Sequence, residues 1–273
     1  MPSTRDPAFV TTFSRMRILI TGASGTIGAK LVPALEPEHE LILLSRRAHA
    51  DPRCRQVDVC EIDQVIAATG GADAIIHLAI ATGHEGNYES HNFNSERFDA
   101  NVKGTYNVIE AARVHGVKRV IHTSSLTVVW GYVQPEWVDG DAAARPVGTY
   151  ALTKFLAEQI AQQFAMQHGI EVLSLRIPKP VDIDDHSTRE DPILPQWIAF
   201  PDLIQAYIRG LSAEFSGFQL ATIVGETSKR RWDLTRAEKL LGYQPTCNLE
   251  SMGYTLRDEP TGYGGAGVVW GDG

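Results

Sequence analysis

The sequence is poor in cysteine, in positive charge and in long apolar runs, and each shortage excludes a class of protein. Three cysteines occur among 273 residues, and their scattered positions match neither a disulfide framework nor a metal-binding spacing. Lysine and arginine total 25 against 33 aspartates and glutamates, for a formal charge of −8, which argues against a nucleic-acid partner. No apolar run is long enough to span a bilayer. We therefore expect a cytoplasmic protein that binds neither nucleic acid nor membrane.

The most informative stretch is a glycine-spaced turn between a strand and a helix. An apolar run from Arg17 to Ile20 predicts a buried strand, and the apolar period over residues 26–35 predicts a helix. Glycines at positions 22, 25 and 28 allow a sharp turn, close approach of a ligand to the backbone, and tight packing of helix on strand. The N–H groups and the dipole at the helix start then suit a pyrophosphate. This context predicts a dinucleotide-binding site.

Strands and helices alternate beyond the turn, which predicts an α/β fold with a doubly wound parallel sheet, the Rossmann fold. Further strands are predicted at 40–44, 56–59, 73–81, 118–123 and 171–177, with helices at 61–69, 93–115 and 148–168. After residue 177 prolines interrupt regular structure, and we predict a helix at 202–211, a strand at 218–224 and a helix at 235–241. The predicted domains are a flexible extension (1–15), a main NAD(P)-binding domain (16–177), a small carboxyl-terminal substrate lobe interleaved with it (178–257) and a flexible glycine-rich tail (258–273).

The residues after the second strand bear on the choice of cofactor. An acidic residue at this position receives the ribose hydroxyls of NAD, whereas basic residues accommodate the 2′-phosphate of NADP. Here Ser45, Arg46 and Arg47 follow the strand, so NADP is favoured over NAD, with a solvated basic turn as the alternative.

Asp58 and Val59 end the predicted third strand, where a side chain is placed to face the adenine. An ordinary exposed aspartate at a strand end is the competing interpretation.

Three polar side chains are predicted to meet at the carboxyl edge of the sheet. Ser125 follows the strand at 118–123, and Tyr150 and Lys154 are i,i+4 neighbours on the helix at 148–168. A neighbouring ammonium favours a tyrosine phenolate and lowers its pKa, so Tyr150 is a candidate general base for a hydroxyl proton. Asn101 is a candidate for a proton relay or for bending its helix. The spacing of the histidines and acids at 84, 85 and 91 fits no metal motif, and we predict no metal site.

These motifs, taken together and in this order, resemble the extended short-chain dehydrogenase/reductase family, the NAD(P)-dependent epimerase/dehydratases. They are the glycine turn, Asp58-Val59, His77-Leu78-Ala79, Asn101-Val102-x-Gly104-Thr105, Thr123-Ser124-Ser125 and Tyr150-x-x-x-Lys154. Within the family, Gly131-Tyr132, Arg145-Pro146 and the segment Arg231-Trp232-Asp233 resemble the uronate-dehydrogenase-like branch. That branch usually has Asn-His after the two serines, where this chain has Leu126-Thr127.

The resemblance implies an NAD(P)-dependent oxidoreductase that moves a hydride between nicotinamide and a hydroxyl or carbonyl carbon of a sugar, sugar acid or related small molecule. The predicted catalytic residues are Ser125, Tyr150, Lys154 and Asn101. The predicted cofactor contacts are Gly22, Ser24, Gly25, Thr26, Ile27, Gly28, Arg46, Asp58, Val59, Leu78, Ala79 and Lys154. Thr82, Ser125 and Arg189 are the substrate candidates. A homodimer is expected from the resemblance, formed through the two long helices.

Two other functions stay open on the sequence. A nucleotide-sugar epimerase or dehydratase shares the same motifs, although dehydratases place acidic residues after the fifth strand, where Leu126 and Thr127 offer none. Epimerases usually carry a larger carboxyl-terminal lobe for the diphosphate sugar. A non-catalytic NADP-binding sensor is the second alternative; such relatives commonly lose the tyrosine–lysine pair, which this chain retains.

Overall fold

The computed structural model describes residues 15–83 and 86–259. Almost all of the predicted extension, the tail from residue 260 onward, and residues 84 and 85 lie outside this part of the chain. Over the same ranges, no helix combines the length and the apolar character that crossing a bilayer requires.

Seven of the described strands form one parallel sheet in the order β3-β2-β1-β4-β5-β6-β9. These strands are β1 (Arg17–Thr21), β2 (Glu40–Ser45), β3 (Cys54–Gln56), β4 (Ala74–His77), β5 (Arg119–Ser125), β6 (Glu171–Ile177) and β9 (Phe218–Thr222). A separate two-stranded sheet pairs β7 (Pro180–Val181) with β8 (Ile198–Ala199). The order reverses beside β1, as in doubly wound folds.

Helices cover both faces of the main sheet. They are α1 (Thr26–Leu35), α2 (Ile62–Thr69), α3 (His91–Arg97), α4 (Gly104–His115), α5 (Thr149–His168), α6 (Phe200–Ser212) and α7 (Thr235–Leu241). Alternate strand residues face two separate cores, so the strands are apolar on both sides. Ile18 and Ile20 pack with Leu31 of α1 and Leu203 of α6, while Leu19 packs with the α2, α4 and α5 side. The predicted Rossmann fold is confirmed.

The segment after β6 is divided between the main sheet and a small cluster of its own. β9 pairs in parallel with β6, and α6 packs so closely on the sheet that a Cβ at Gly210 would lie 2.8 Å from Leu173. Val181, Ile193 and Leu249 belong to a small separate core, whereas Ala237 and Leu241 of α7 pack into the main core. The carboxyl-terminal region therefore extends the main sheet as well as forming a lobe beside it.

Three predicted elements differ clearly from the structure. The strand predicted over 73–81 is shorter, since β4 ends at His77. The third strand ends at Gln56 rather than at residue 59, because the Asp58 carboxylate accepts a hydrogen bond from the Cys60 backbone at 2.9 Å and turns the chain out of the sheet. The long helix predicted over 93–115 contains a π-helical segment, Phe98–Lys103, between α3 and α4. Periodicity alone does not reveal an extra residue in one turn.

Candidate active site

The glycine turn after β1 has the shape that close ligand approach requires. Gly22 has a φ of +68°, and a Cβ there would lie 2.8 Å from the backbone nitrogen of Ala79. At Gly28 a Cβ would lie 2.2 Å from the carbonyl oxygen of Ala23, so only glycine lets α1 pack this closely. Gly25 is the N-cap of α1, and within the described chain no side chain caps this helix. Its first N–H groups are therefore available to an anion, which fits a pyrophosphate.

A cavity of about 1440 Å³ runs along the carboxyl ends of the strands, where doubly wound sheets bind dinucleotides. Its lining contains most of the predicted site residues, namely Gly22, Ser24, Gly25, Thr26, Ile27, Gly28, Arg46, Asp58, Val59, Leu78, Ala79, Thr82, Ser125, Tyr150 and Lys154. Asn101 and Arg189 lie outside this lining. The structure thus joins the glycine turn and the three predicted polar residues in one space.

The cavity end beside β2 carries hydroxyl and guanidinium groups. The Ser45 hydroxyl lies 2.7 Å from the Ser24 hydroxyl and accepts a hydrogen bond from the Arg47 backbone at 3.3 Å. Arg46 and Arg47 are exposed at the rim, and within the described ranges neither forms an ion pair. The two guanidinium groups therefore remain available to an anion.

Ser125, Tyr150 and Lys154 meet where β5 ends. Ser125 is the last residue of β5, and its Oγ accepts hydrogen bonds from the Thr127 backbone at 3.2 Å and the Thr127 hydroxyl at 2.9 Å. Because both of these contacts use Ser125 as acceptor, its own proton is left to donate. Tyr150 and Lys154 lie one turn apart on α5, and Lys154 Nζ donates to the carbonyl oxygen of Thr123.

Burial determines much of the electrostatics of the pair. Burial raises the pKa of Tyr150 to about 12, with a hydrogen bond from Ser125 and the charge of Arg97 acting in the opposite direction. Burial also lowers the pKa of Lys154 to about 8, partly offset by the Glu158 carboxylate. Burial therefore dominates at Tyr150, and the Lys154 ammonium is bonded to Thr123. Its predicted role in favouring the phenolate stays a prediction.

Asn101 braces the site from behind rather than lining the cavity. It lies in the π-helical segment, accepts a hydrogen bond from the Ala81 backbone at 3.0 Å, and donates to the Thr153 hydroxyl at 3.0 Å. It therefore ties the loop after β4 to α5, beside Tyr150 and Lys154. Its predicted part in a proton relay stays a prediction, whereas the irregular helix around it agrees with the alternative of helix bending.

Buried polar pairs hold the strand ends in place. His77 lies 2.7 Å from the Thr21 hydroxyl and 3.1 Å from the Thr105 hydroxyl, and burial lowers its pKa to about 3. Glu158 of α5 accepts hydrogen bonds from Ser124 at 2.6 Å and from Arg176 at 2.7 Å and 2.8 Å. The Glu158 contacts fix β5 and α5 relative to each other, and with them the positions of Ser125 and Tyr150. The His77 contacts join β4 to β1 and α4.

The part of the cavity beyond β6 contains residues that the sequence reasoning missed. Lys179, Asp191, Trp197 and Arg257 line it, and Lys179 Nζ lies 4.7 Å from the Trp197 ring centroid. Lys179 follows β6 directly, so its position at a strand end was a usable signal. For Arg257 the sequence carried no such signal, because packing places its segment, far along the chain, beside the cavity. Arg189 instead lies near His186, 3.0 Å away, and near the Tyr254 ring.

Known proteins resemble this chain in sequence and fold. Residues 18–199 match the NAD dependent epimerase/dehydratase family. The chain is 33% identical over 234 residues to the uronate dehydrogenase of Pseudomonas syringae pv. tomato, covering 82% of this chain and 80% of that enzyme. It is 28% identical over 252 residues to the L-arabinose 1-dehydrogenase (NAD(P)(+)) of Haloferax volcanii, covering 85% and 97%. A crystal structure of Agrobacterium tumefaciens uronate dehydrogenase with NAD superposes with a TM-score of 0.73 at 26% identity, covering 87% of each chain.

The match to the family includes β1 to β8, and so every strand of the main sheet except β9, and the cavity holds most of the residues that the motifs predict. The chain therefore belongs to the NAD dependent epimerase/dehydratase family and is a nicotinamide-dependent oxidoreductase of the extended short-chain dehydrogenase/reductase type.

Proposed function

We propose that this enzyme is an NADP-preferring dehydrogenase that oxidises a hydroxyl-bearing carbon of a sugar acid or a closely related sugar. The observation that carries the proposal is the meeting of Ser125, Tyr150 and Lys154 in the cavity that also contains the glycine turn. The relatives support the substrate class, since two of them are a uronate dehydrogenase and an arabinose dehydrogenase.

In the proposed reaction, Tyr150 acts as the general base. Its phenolate oxygen removes the proton of the substrate hydroxyl while the hydride leaves the same carbon, so the hydroxyl becomes a carbonyl. A bound nicotinamide dinucleotide supplies the hydride acceptor. Ser125 donates a hydrogen bond to the reacting oxygen, using the proton that its contacts with Thr127 leave free. Lys154 adds positive charge beside the phenolate and would help to hold the ribose of a bound cofactor.

The preference for NADP rests on the rim beside β2. Ser45, Arg46 and Arg47 line the cavity there, and a guanidinium binds a phosphate through paired hydrogen bonds. We expect NADPH to bind more tightly than NADH and Arg46→Gln to weaken NADPH binding by about tenfold, since a charge-assisted hydrogen bond is lost, with little effect on NADH. Fluorescence titration of the unmodified enzyme and of Arg46→Gln, each with NADPH and with NADH, measures these affinities. Equal affinities for both cofactors in the unmodified enzyme would show that the basic rim is only a solvated turn.

An acidic substrate is supported by the charge at the far end of the cavity. Lys179 and Arg257 line that end beside one carboxylate, that of Asp191, so cations outnumber anions there. Arg189 is not in the lining, and in the proposal Lys179 and Arg257 hold the substrate carboxylate. Thr82, also in the lining, contributes a hydroxyl. A panel of uronates, aldoses, sugar nucleotides and small ketones, followed by nicotinamide absorbance, tests the class. Lys179→Met should raise KM for uronates and spare neutral aldoses; a preference of the unmodified enzyme for neutral sugars would refute the acid-binding part.

The role of Tyr150 has its own test. Tyr150→Phe removes the hydroxyl and keeps the ring, so we expect turnover to fall by at least a thousandfold, a loss that a missing essential base can cause, while dinucleotide affinity changes little. Stopped-flow measurement of the oxidation step, with calorimetry for the cofactor, separates the two effects. Turnover near that of the unmodified enzyme would overturn the mechanism.

A homodimer in the cytoplasm completes the proposal. Phe98, Tyr106, Leu152 and Met166 are large apolar side chains on or beside α4 and α5 that are 40% to 74% exposed, and such a patch suits a second copy of the chain. Sedimentation velocity should show a dimer that Met166→Glu weakens. The cytoplasmic location is supported by the free thiols of Cys54, Cys60 and Cys247.

A further inference from the structure

Arg97, the last residue of α3, is a fully buried cation that the proposed mechanism does not use. Its side chain is 0% exposed, although arginine is among the residues that are almost never fully buried without pairing. Its Nη1 donates to Asn94 at 2.6 Å and to Glu89 at 3.3 Å. Within the described chain, Nε and Nη2 have no hydrogen-bond acceptor. The charge of Arg97 is therefore only partly compensated.

Aromatic rings enclose this guanidinium. Its Cζ lies 3.9 Å from the ring centroid of Tyr88 and 4.3 Å from that of Phe93, distances at which a cation is attracted to an aromatic face. The next ring is that of Tyr150, whose centroid is 6.0 Å from the same Cζ. The enclosure excludes water, so the positive charge acts on Tyr150 through a poorly polarisable medium.

Few other charges face Tyr150. Ser125 and Lys154 approach it from β5 and α5, Tyr88 from the loop before α3, and Tyr207 from α6. Of these neighbours only Lys154 is a cation, and its ammonium is already bonded to the Thr123 carbonyl. Arg97 thus supplies a second positive charge, from the side of the ring opposite the cavity.

Arg97 also acts on the first turn of α5 through Glu89. The Glu89 carboxylate pairs with Arg97 and lies at the start of α5, where its Oε1 is 3.4 Å from the position of a Cβ on Gly148. Against the effect of burial, the hydrogen-bonding groups of Thr149, the residue before Tyr150, help to lower the pKa of Glu89. The N-cap of α5 is Gly148, which has no side chain to cap the helix. Glu89 therefore does from another element what an N-cap side chain normally does, and Arg97 holds it in place.

We propose that Arg97 is a positioning residue for Tyr150: its caged guanidinium favours the ionised phenolate, and its pairing with Glu89 fixes the helix turn that carries the base. This inference rests on the proposed role of Tyr150 and adds a residue to it. A purely structural arginine, which fills space among Tyr88 and Phe93, would affect folding and would leave the ionisation of Tyr150 unchanged.

The two roles are separated by measuring the ionisation of Tyr150 directly. Tyrosine labelled at the ring carbon that bears the hydroxyl gives one NMR signal for each of the 8 tyrosines, and comparison with Tyr150→Phe assigns the signal of interest. The titration is done with NADP⁺ bound. Arg97→Met should raise the pKa of Tyr150 by about one unit, the lower end of the range for a charge at this distance, and Arg97→Lys should restore most of the shift.

Glu89→Gln gives a second test, independent of whether Arg97→Met folds well. Glutamine can still accept the hydrogen bonds from Thr149 but removes the negative charge that partly compensates Arg97. The pKa of Tyr150 should then fall, in the direction opposite to the Arg97→Met shift. Arg119→Met is the matched control, since Arg119 also lies over a ring, that of Phe215, and pairs with Glu171, but at the amino end of β5.

Turnover provides the third readout. Oxidation needs the phenolate, so kcat rises with pH as Tyr150 ionises. This rise should occur about one pH unit higher in Arg97→Met and at lower pH in Glu89→Gln. If Arg97→Met and Glu89→Gln leave the Tyr150 titration unchanged, or shift it in the same direction, the inference is wrong. If the NMR shifts occur while Tyr150→Phe retains turnover, the charge coupling stands and the proposed role of Tyr150 as base fails.

Discussion

Replacing Lys154 by methionine should make the protein more stable at neutral pH while inactivating it. Lys154 is 2% exposed, and burial lowers its pKa from 10.5 to about 8. At about 1.4 kcal/mol for each pKa unit, holding the charged amine in the folded protein costs about 3 kcal/mol at pH 7. Methionine removes this cost and also the hydrogen bond to Thr123, worth about 1 kcal/mol. We expect a net gain of about 2 kcal/mol in the free energy of unfolding.

The dependence on pH distinguishes this cause from simple repacking. Between pH 8 and pH 10.5 the folded protein has released the Lys154 proton while the unfolded chain still binds it, so stability of the unmodified protein rises with pH across that window. The penalty is fully present below pH 8 and fades above it. The advantage of Lys154→Met should therefore shrink to near zero by about pH 10.

Urea unfolding of Lys154→Met and of the unmodified protein from pH 7 to pH 10 measures the difference between their free energies of unfolding. The contributions of all other titrating groups cancel in that difference. Lys118→Met, at an exposed lysine just before β5, is the matched control and should show no trend with pH. A stability difference between Lys154→Met and the unmodified protein that stays constant over this range would refute the assignment of the cost to a buried charge.

Two further predictions concern the shape of the site. Gly28→Ala places a methyl group 2.2 Å from the Ala23 carbonyl oxygen and should lower dinucleotide affinity at least tenfold by calorimetry, an effect of about 1.4 kcal/mol or more. Gly70→Ala, whose nearest neighbour is the His115 ring at 3.7 Å, should leave affinity unchanged, and equal losses in both would contradict the packing argument. Thr127→Val removes the hydroxyl that donates to Ser125 at 2.9 Å and should lower kcat by on the order of tenfold. Dinucleotide affinity should not change and serves as the control. An unaffected kcat would show that Ser125 does not need the Thr127 hydroxyl.

The sequence predicted the features that local patterns determine. The glycine turn is readable because its three positions follow a strand and begin a helix, and the pair of Tyr150 and Lys154 is readable because one helical turn separates them. The parallel sheet then requires Ser125 to lie near both. These inferences need only the order of the elements and the rule that strand ends share one edge.

Features that depend on packing between distant segments were not predictable in this way. The direction of the Tyr150 pKa follows from burial, which α6 and the loop before α3 complete. No sequence pattern singled out Arg97, whose side chain is enclosed by the rings of Tyr88 and Phe93. Arg257 reaches the cavity because its backbone N–H donates to the Ile193 carbonyl at 2.8 Å. None of these contacts produces a periodic pattern in the sequence from which it could be predicted.

The π-helical segment Phe98–Lys103 has a consequence for how this enzyme tolerates changes in chain length. A π turn holds one residue more than an α turn, and a residue advances an α-helix by about 100°. Deleting a single residue there would allow an unbroken α-helix and would leave α3 and α4 in nearly their present rotation, because the π turn already absorbs the extra residue. Arg97 would keep its rings, whereas Asn101, which lies inside the segment, would lose its place between Ala81 and Thr153. We expect a one-residue deletion within 98–103 to damage the site more than most substitutions at the same positions, so the irregular turn is a spacing element that selection on chain length would retain.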